Sequence, residues 1–442
     1  MSYTYKTLTQ AQADLSSRLY ESTGVQWPIA ELTLYLQEAI RAWNSLTSFW
    51  RGTFAFSLSS AQSWYDLTSQ AGTLRPMTVT DNLLLRQIEA HLLEPGTPNY
   101  PLVWAGSSQF SIQAILSDIA EKRDEVLAET GCYLSEGTVT AGSGRTVLTD
   151  STLTIRRVAW LPTGTAAYTA APLQQSDVWA QRAFDSNWTT AAQGQPTVWM
   201  QSSEPSLSFD VNRVPPCAGN YDVVTVKAGP TLSTTAATIL GVPDDWSWVV
   251  KFGALACLFG QEGLAKDSLR AGYCEQRYQE GLKLMRAASA LLEIRINNIP
   301  LWVDSVYNAD RFNPNWQGAA PGPPTSCYVM GLNLIAFGPP PDAGSYSCSA
   351  TVVQNAPVPV NAGDYIQVAR SDYDSVLDES QHLAMLKAGG AEFLATIPMH
   401  QSFLRRAALY NQTLEPMGFF KKPMFELSQL EEERNPTVEV ES

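Results

Sequence analysis

The chain reads Phe184-Asp185-Ser186-Asn187-Trp188 and, further along, Phe312-Asn313-Pro314-Asn315-Trp316. Both stretches are followed, at identical spacings, by an alanine pair, a glycine and a Pro-Thr dipeptide. Matching blocks at one constant offset indicate two copies of a structural unit. The sequence therefore predicts a duplicated fold in which Trp188 and Trp316 are structural anchors of the two copies.

A second pair of stretches supports the repeat. Residues 215–221 read Pro-Pro-Cys-Ala-Gly-Asn-Tyr, and residues 340–346 read Pro-Pro-Asp-Ala-Gly-Ser-Tyr. Proline restricts φ and glycine accepts positive φ, so each stretch is typical of a tight turn between two strands. We expect one β-hairpin with this turn in each copy, with Gly219 and Gly344 at matching positions of positive φ.

Strands followed by paired helices are predicted around these blocks. Residues 153–158 alternate and are rich in β-branched side chains, which is typical of a strand. Asp244-Asp245 precedes an apolar run that ends at Gly260, and the two carboxylates are expected to cap a helix there. A second helix starts at Asp267. The helix pair recurs more faintly later in the chain, with Asp378-Glu379 in the place of Asp244-Asp245.

The N-terminal part of the chain, up to position 135, is predicted to be mainly helical. Pro28 stands in the first turn of a helix whose apolar residues recur every three or four positions. Residues 81–93 and 111–130 predict two more helices, and residues 53–58 predict a short strand. These local signals are typical of a small helical bundle.

The predicted fold class is therefore α+β. An N-terminal helical bundle is followed by two duplicated modules, each a small antiparallel β unit plus a helical hairpin. The expected domains are residues 1–135 (helical domain), 136–299 (first α+β module), 300–418 (second α+β module) and 419–442 (acidic C-terminal tail). Because residues 426–442 hold six Glu against one Arg and show no hydrophobic period, the tail is predicted to be extended or disordered.

Composition limits the classes of function. The 442 residues include 29 Lys and Arg against 43 Asp and Glu, which gives a net charge of −14. An acidic chain without Lys/Arg clusters lacks the positive surface with which proteins grip nucleic acid. The most apolar run, residues 246–259, is short and carries Lys251, so no membrane span is predicted. The N-terminus shows no signal pattern, and folding in the cytoplasm is expected.

Residues that catalyse reactions or bind metals are sparse. His91, His382 and His400 stand outside any metal-binding spacing and are expected to be partly exposed or capping. The six cysteines show no C-x-x-C spacing and are expected to be reduced thiols. The sequence predicts neither a metal site nor a cofactor.

Two other classes of function involve sugars. A glycan-binding module needs exposed aromatic platforms, for which Asn187-Trp188 and Asn315-Trp316 are candidates, although repeated tryptophans favour buried anchors. A glycosidase needs paired carboxylates. The candidate acids are Asp185, Asp210, Asp244, Asp245, Asp304 and Asp310. Since helix capping accounts for Asp244-Asp245, the protein is expected not to be an enzyme.

Four stretches of the chain resemble a known family. Residues 240–246, 251–256 and 270–281 resemble the paired helices of head-to-tail connector (adaptor) proteins of tailed bacteriophages, and residues 27–43 are similar to the helix that opens such proteins. Together these stretches cover about a tenth of the chain. Simple connectors carry one helical bundle and are much shorter, so the duplication departs from their pattern.

The resemblance implies a structural virion protein in the neck of the phage, assembled in the host cytoplasm. It implies a ring that joins the portal vertex to the tail and surrounds the DNA channel. The implied partners are further copies of the chain, the portal protein and a downstream tail protein, with DNA passing through without sequence-specific binding and no membrane involved. Such rings commonly have twelve subunits; six is the alternative, because each chain carries two modules.

The resemblance also implies that the C-terminal tail embraces the portal protein. The candidate portal-binding residues are Phe419, Phe420, Phe425, Leu427 and Leu430. The alternative function is a tail or baseplate component whose β modules bind glycans.

Overall fold

The computed structural model describes most of the chain and confirms the α+β class. The described segments are residues 4–21, 24–93, 109–141, 145–149, 151–162, 171–202, 207–263, 266–314, 316–342 and 346–414. The helices are α1 (Leu8–Arg18), α2 (Ile29–Thr47), α3 (Leu67–Ala71), α4 (Asp81–Leu92), α5 (Ile112–Thr130), α6 (Val178–Phe184), α7 (Ser247–Gly260), α8 (Ser268–Ala287), α9 (Val306–Phe312), α10 (Arg370–Ala388), α11 (Gly390–Ala395) and α12 (Ile397–Leu414).

The strands are short and are spread along the whole chain. They are β1 (Arg51–Ser57), β2 (Trp64–Asp66), β3 (Ser135–Thr140), β4 (Arg145–Val147), β5 (Thr152–Pro162), β6 (Ala171–Pro172), β7 (Gln174–Ser176), β8 (Val198–Ser202), β9 (Ser208–Val211), β10 (Gly219–Lys227), β11 (Leu291–Ile296), β12 (Ile299–Pro300), β13 (Trp302–Ser305), β14 (Ser326–Met330), β15 (Leu334–Gly338) and β16 (Ser347–Val353).

Helices α2 and α7 are the centre of a helical body with one continuous core. α2 packs against α1, α10 and α12, while α7 packs against α4, α5 and α8. Nearly all side chains of α7 are buried, as expected for a helix that is apolar on all sides. α8 approaches α7 closely at Gly281, where a Cβ atom would lie 2.7 Å from Val249. A larger side chain at this position would push the two helices apart.

Local signals set the ends of the helices as predicted. α2 begins directly after Pro28, and α5 begins after Ser111, whose hydroxyl accepts a hydrogen bond from the backbone N–H of Ala114 at 3.1 Å. α5 ends at Gly131, which has φ +58°. A left-handed residue at this point leaves the helix and lets its own N–H bond a carbonyl of the last turn.

The strands make four sheets that form two sandwiches. Sandwich A consists of the sheets β3-β10-β5-β6 and β4-β9-β8-β7, and its core includes Trp160, Phe209 and Tyr221. Sandwich B consists of the sheets β1-β16-β11-β12 and β2-β15-β14-β13, and its core includes Phe337 and Ile294. Each sandwich buries its own apolar side chains between its two sheets, separately from the helical body.

The predicted antiparallel β unit needs one correction. β7 pairs with β8 in parallel in sandwich A, and β13 pairs with β14 in parallel in sandwich B. Parallel neighbours need a crossover connection, because a tight turn reverses the direction of the chain. Helix α6 makes this connection in sandwich A, and α9 makes it in sandwich B.

Strand pairing crosses both of the expected domain boundaries, at positions 135 and 299. β1, which belongs to the predicted helical domain, pairs with β16 along its whole length, with Arg51 opposite Val353. β2 pairs with β15, and β11, which precedes the second boundary, pairs with β16. Sandwich B therefore takes strands from both ends of the chain, and all strands of sandwich A lie between them.

The Pro-Pro stretches do not close β-hairpins. β9 and β10, which flank residues 215–218, lie in different sheets of sandwich A, and β15 and β16 likewise lie in different sheets of sandwich B. Gly219 opens β10, and its φ is outside the left-handed region, so the expected positive φ is wrong. A Cβ atom there would lie 2.3 Å from the ring of Trp160, so glycine is needed for close approach. Gly344 lies outside the described residues.

The second helix pair also differs from the expected alignment. Asp244 and Asp245 lie in a 3-10 turn just before α7, whereas Asp378 and Glu379 lie in the middle of α10. The acidic pairs therefore occupy different places, and only the paired helices correspond. Among the described residues, no helix combines the length and apolar character that a membrane crossing requires.

Candidate functional site

All three histidines are buried in the helical body, which corrects the expectation that they are partly exposed or capping. His91 lies on α4 next to the buried pair of Lys251 and Glu38. His382 on α10 and His400 on α12 stack on each other, with ring centroids 5.1 Å apart. Sequence reasoning missed their burial because helices that are distant in the sequence cover them.

His400 belongs to a buried charged cluster. Arg277 on α8 donates to Glu379 Oε1 at 3.2 Å, and His400 Nδ1 lies 2.7 Å from Glu379 Oε2. Burial by itself would raise the pKa of Glu379, but the adjacent His400 and Arg277 lower it to about 2. The carboxylate is therefore ionised, and the cluster ties α8, α10 and α12 together.

His382 is held in one neutral form by its neighbours. Its Nε2 lies 2.6 Å from the hydroxyl of Tyr273, and its Nδ1 lies 2.9 Å from Thr396 Oγ1. Because Thr396 donates its own hydrogen to the carbonyl of Phe393, it accepts from His382 Nδ1–H, and Tyr273 donates to Nε2. Burial, together with His400, lowers the pKa of His382 to about 3. None of the described cavities is lined by the residues of this cluster.

The candidate acids do not form a catalytic pair. Asp244 accepts hydrogen bonds from the backbone N–H groups of Thr78 and Val79 at 2.8 and 3.0 Å. Asp245 accepts from Asn44 Nδ2 at 2.6 Å and from the backbone N–H of Ala356, and burial raises its pKa to about 6. The expected capping role is therefore wrong, because neither carboxylate caps α7 and both bind other segments of the chain.

The other candidate acids are held one by one. Asp185 accepts from the backbone N–H of Asn187, Asp304 accepts from Asn308, Asp210 pairs with Arg145, and Asp310 pairs with Arg157. No two of the six acids line the same described cavity. Over the described segments, no group of three or more His, Cys, Asp or Glu residues is placed to hold a metal ion.

Trp316 lies where sandwich B contacts sandwich A. Its side chain is 1% exposed, and its indole N–H donates to Asp310 Oδ1 at 2.7 Å. Arg157, on β5 of sandwich A, donates from Nε to Asp310 Oδ2 at 2.7 Å and from its terminal nitrogen to Gln317 at 2.6 Å. The guanidinium also lies 5.6 Å from the ring centroids of Trp64 and Trp316. A buried Arg–Asp–Trp contact thus joins the two sandwiches.

Trp188 occupies the corresponding place in sandwich A, with a different surrounding. Its side chain is 9% exposed, and its indole N–H has no acceptor among the described residues. It lines an open pocket of about 340 Å³ together with Arg145, Arg182 and Asp210. Because both tryptophans are largely buried, neither is the exposed platform that glycan binding needs, which argues against the glycan-platform interpretation.

Exposed aromatic side chains lie on the two crossover helices. α6 carries Trp179 and Phe184, and Phe184 is 91% exposed. α9 carries Tyr307 and Phe312 at the same positions, and Phe312 is 76% exposed. Large exposed apolar side chains are typical of protein–protein contacts. The constant offset between the two repeated blocks could have identified them in the sequence.

The candidate portal-binding residues Phe419, Phe420, Phe425, Leu427 and Leu430 lie outside the described residues. The described candidate surfaces are therefore the pocket beside Trp188 and the aromatic faces of α6 and α9.

Comparison with known proteins identifies one family. Residues 84–295, a little under half of the chain, match the family described as SU10 adaptor protein, a phage head-to-tail adaptor family. The matched segment begins in α4, includes the whole of sandwich A and the pair α7–α8, and ends in β11. No curated protein matches the chain. The family match confirms the resemblance to phage adaptor proteins.

Proposed function

We propose that this phage adaptor protein forms a closed ring that joins the portal vertex to the tail and surrounds the DNA channel. The observation that carries the proposal is the family match over residues 84–295. The role is structural and not enzymatic, and the mature protein resides in the virion neck. Its partners are further copies of the chain, the portal protein and a downstream tail protein.

The chain contains, in this proposal, two copies of one unit, with one copy inserted into the other. The inner copy is α4–α5, sandwich A and α7–α8. The outer copy is α1–α2, sandwich B and the pair α10 and α12, and the inner copy interrupts it after β2. This division replaces the domains expected at 1–135, 136–299 and 300–418, and the family match covers almost the whole inner copy.

Equal offsets between elements support the two copies. α9 lies the same number of residues after α6 as β14 lies after β8. This holds for both the first and the last residue of each element. α2 and α5 are both 19 residues long. The strand orders of sandwiches A and B correspond strand for strand. The offset differs between the N-terminal and later elements because the inner copy separates the two parts of the outer copy.

Charge and surface composition support a ring that lets DNA pass. The net charge of −14 makes phosphate contacts few and repulsive. The exposed aromatic faces of α6 and α9 supply uncharged area for contacts between proteins. Both properties suit a protein that binds its neighbours and leaves DNA free to move.

A count of subunits tests the ring. Native mass spectrometry of the purified protein is expected to show one closed species of twelve subunits, or of six because each chain contributes two copies of the unit. Dilution should move the protein between this species and the monomer without stable intermediates, since closure adds a contact that open oligomers lack. A chain that stays monomeric or dimeric at all concentrations contradicts the proposal.

Deletion of residues 426–442 tests the proposed portal contact. The truncated chain is expected to keep its melting temperature, because the described core ends before this segment, but to lose attachment to portal-containing heads in a pull-down or cosedimentation assay. The matched control replaces the six Glu of this segment by Gln, which separates the effect of charge from the effect of the apolar residues. Attachment that survives the deletion contradicts a portal-binding tail.

A further inference from the structure

The contact between the two sandwiches inside one chain corresponds to an open pocket at the equivalent place in sandwich A. Inside the chain, Arg157 of sandwich A reaches the Asp310–Trp316 pair of sandwich B. The equivalent residues of sandwich A are Arg182 and Trp188, and both line the pocket beside Trp188. No described residue enters this pocket in the way that Arg157 contacts Asp310 and Trp316. The inference that follows rests on the proposed ring and names the residues that make its contacts.

Strand register identifies the residue equivalent to Arg157. β5 and β10 shift register between Val224, which faces Arg157, and Thr225, which faces Ile155. β11 and β16 shift register at the same point, where Glu293 faces Thr351 and Leu291 faces Val352. β5 and β11 each have one extra residue at this point, so the two strands can be aligned at their bulges without a gap. Glu293 of sandwich B therefore stands where Arg157 stands in sandwich A.

The partner position has also changed sign. α6 and α9 align end to end, which places Arg182 where Asp310 stands and Trp188 where Trp316 stands. The pair inside the chain is Arg157 with Asp310, and the equivalent residues at the two free ends are Glu293 and Arg182. Glu293 and Arg182 thus carry charges opposite to those of Arg157 and Asp310. Glu293 and Arg182 remain complementary to each other, whereas two Glu293 side chains, or two Arg182 side chains, would repel.

The pocket has the chemistry that a carboxylate requires. The indole N–H of Trp316 donates to the carboxylate of Asp310, whereas the indole N–H of Trp188 is buried without an acceptor among the described residues. The guanidinium of Arg182 lies near the ring of Trp179, and no described carboxylate pairs with it. The volume of about 340 Å³ is large enough for a glutamate side chain. A carboxylate entering here would satisfy a donor that the described residues leave unpaired.

Glu293 is available for this contact. Its side chain is 41% exposed and pairs with Arg295 of the same strand, at 2.7 Å between Oε1 and the arginine nitrogen. Exposed pairs of this kind contribute little, so giving up Arg295 for another partner costs little.

We propose that Glu293 of one copy of the chain enters the pocket beside Trp188 of the next copy, where its carboxylate accepts from Trp188 Nε1–H and pairs with Arg182. The contact between chains then repeats the contact inside the chain with the charges exchanged. One surface of each chain meets a different surface of its neighbour, and such a heterologous contact closes into a ring when the rotation permits. Each chain thus supplies two similar steps around the ring.

Charge exchange tests this pairing. Glu293→Arg and Arg182→Glu are each expected to weaken self-association at least about tenfold in sedimentation equilibrium at low ionic strength, since each places like charges together. The double variant is expected to recover most of the loss. Glu262→Arg, at an exposed glutamate that pairs with Lys266 and does not line the pocket, is the matched control and should associate like the natural chain. Melting temperatures check that all variants fold.

The outcomes separate this inference from the proposed ring. Oligomers of the natural chain that persist in both single variants overturn the Glu293–Arg182 contact and leave the ring standing. A double variant no better than the worse single variant also overturns the pairing. If deletion of the acidic C-terminal segment abolishes assembly while Glu293→Arg does not, that segment is the occupant of the pocket and the inference is wrong. A natural chain that never associates overturns both the ring and the contact.

Discussion

Replacement of Glu379 by Gln should lower the free energy of unfolding by about 3 to 5 kcal/mol, the cost of removing one partner of a buried ion pair. The substitution keeps the volume of the side chain and removes its charge. The guanidinium of Arg277 then remains buried without its carboxylate, and the single amide oxygen of glutamine replaces the two oxygens that accept from Arg277 and His400. Denaturant unfolding followed by circular dichroism measures the loss. The control is Glu262→Gln, whose side chain is largely exposed and should change stability within about 0.5 kcal/mol.

The same residue predicts a pH dependence. The pKa of Glu379 is about 2 in the folded chain against 4.5 for an ordinary glutamate, so the folded state binds fewer protons in this range. Its contribution, about 3 kcal/mol, is present above pH 4.5 and is lost as the pH falls toward 2. Glu379→Gln should lack this part of the acid dependence. Equal acid slopes in the two proteins would contradict the ionised cluster.

Arg157→Ala should lower the free energy of unfolding by about 3 to 5 kcal/mol as well, because Arg157 is buried at the contact between the two sandwiches. Its removal leaves Gln317, which is fully buried, without its donor and leaves Asp310 with only the indole of Trp316 as a partner. It also removes the guanidinium that covers the rings of Trp64 and Trp316. Thermal unfolding should broaden or separate into two steps if the sandwiches become independent.

A second arginine provides the control for this substitution. Arg286 pairs with Glu129 on the surface, with both side chains about half exposed, and Arg286→Ala should cost no more than about 1 kcal/mol. Equal losses in the two variants would show that the contact between the sandwiches contributes no more than a surface pair.

The ends of the helices were largely readable from the sequence. Pro28, Ser111 and Gly131 act within a few residues of their own positions, through restricted φ, a side-chain acceptor and a left-handed conformation. Strand β1 was located in the same way, from its alternating residues. The sequence reasoning failed where one residue type serves two purposes. Gly219 looked like a turn residue, but it is required by the ring of Trp160 on a neighbouring strand.

The residues at the candidate surfaces were only partly predictable. Trp188 and Trp316 were identified by their repeat. The pocket beside Trp188 differs from the site around Trp316 because Arg182 stands in sandwich A where Asp310 stands in sandwich B. The constant offset already places Arg182 opposite Asp310 in the sequence, but only the structure shows that Asp310 meets Arg157 of the other sandwich. The burial of His382 and His400 was also not predictable, since Tyr273 and Arg277, which contact them, come from the distant helix α8.

The sequence by itself determined several helices, the positions of strands β1 and β5, the repeated tryptophans and the likeness to phage adaptors, because these features depend on neighbours a few positions apart. Tertiary structure alone decided which sheet each strand joins. Arg51 pairs with Val353 from the far end of the chain, and no local signal at either position specifies the other. Tertiary structure likewise decided that Arg157 pairs with Asp310 of the other sandwich, whereas no described carboxylate pairs with Arg182, because only folding brings such distant segments together.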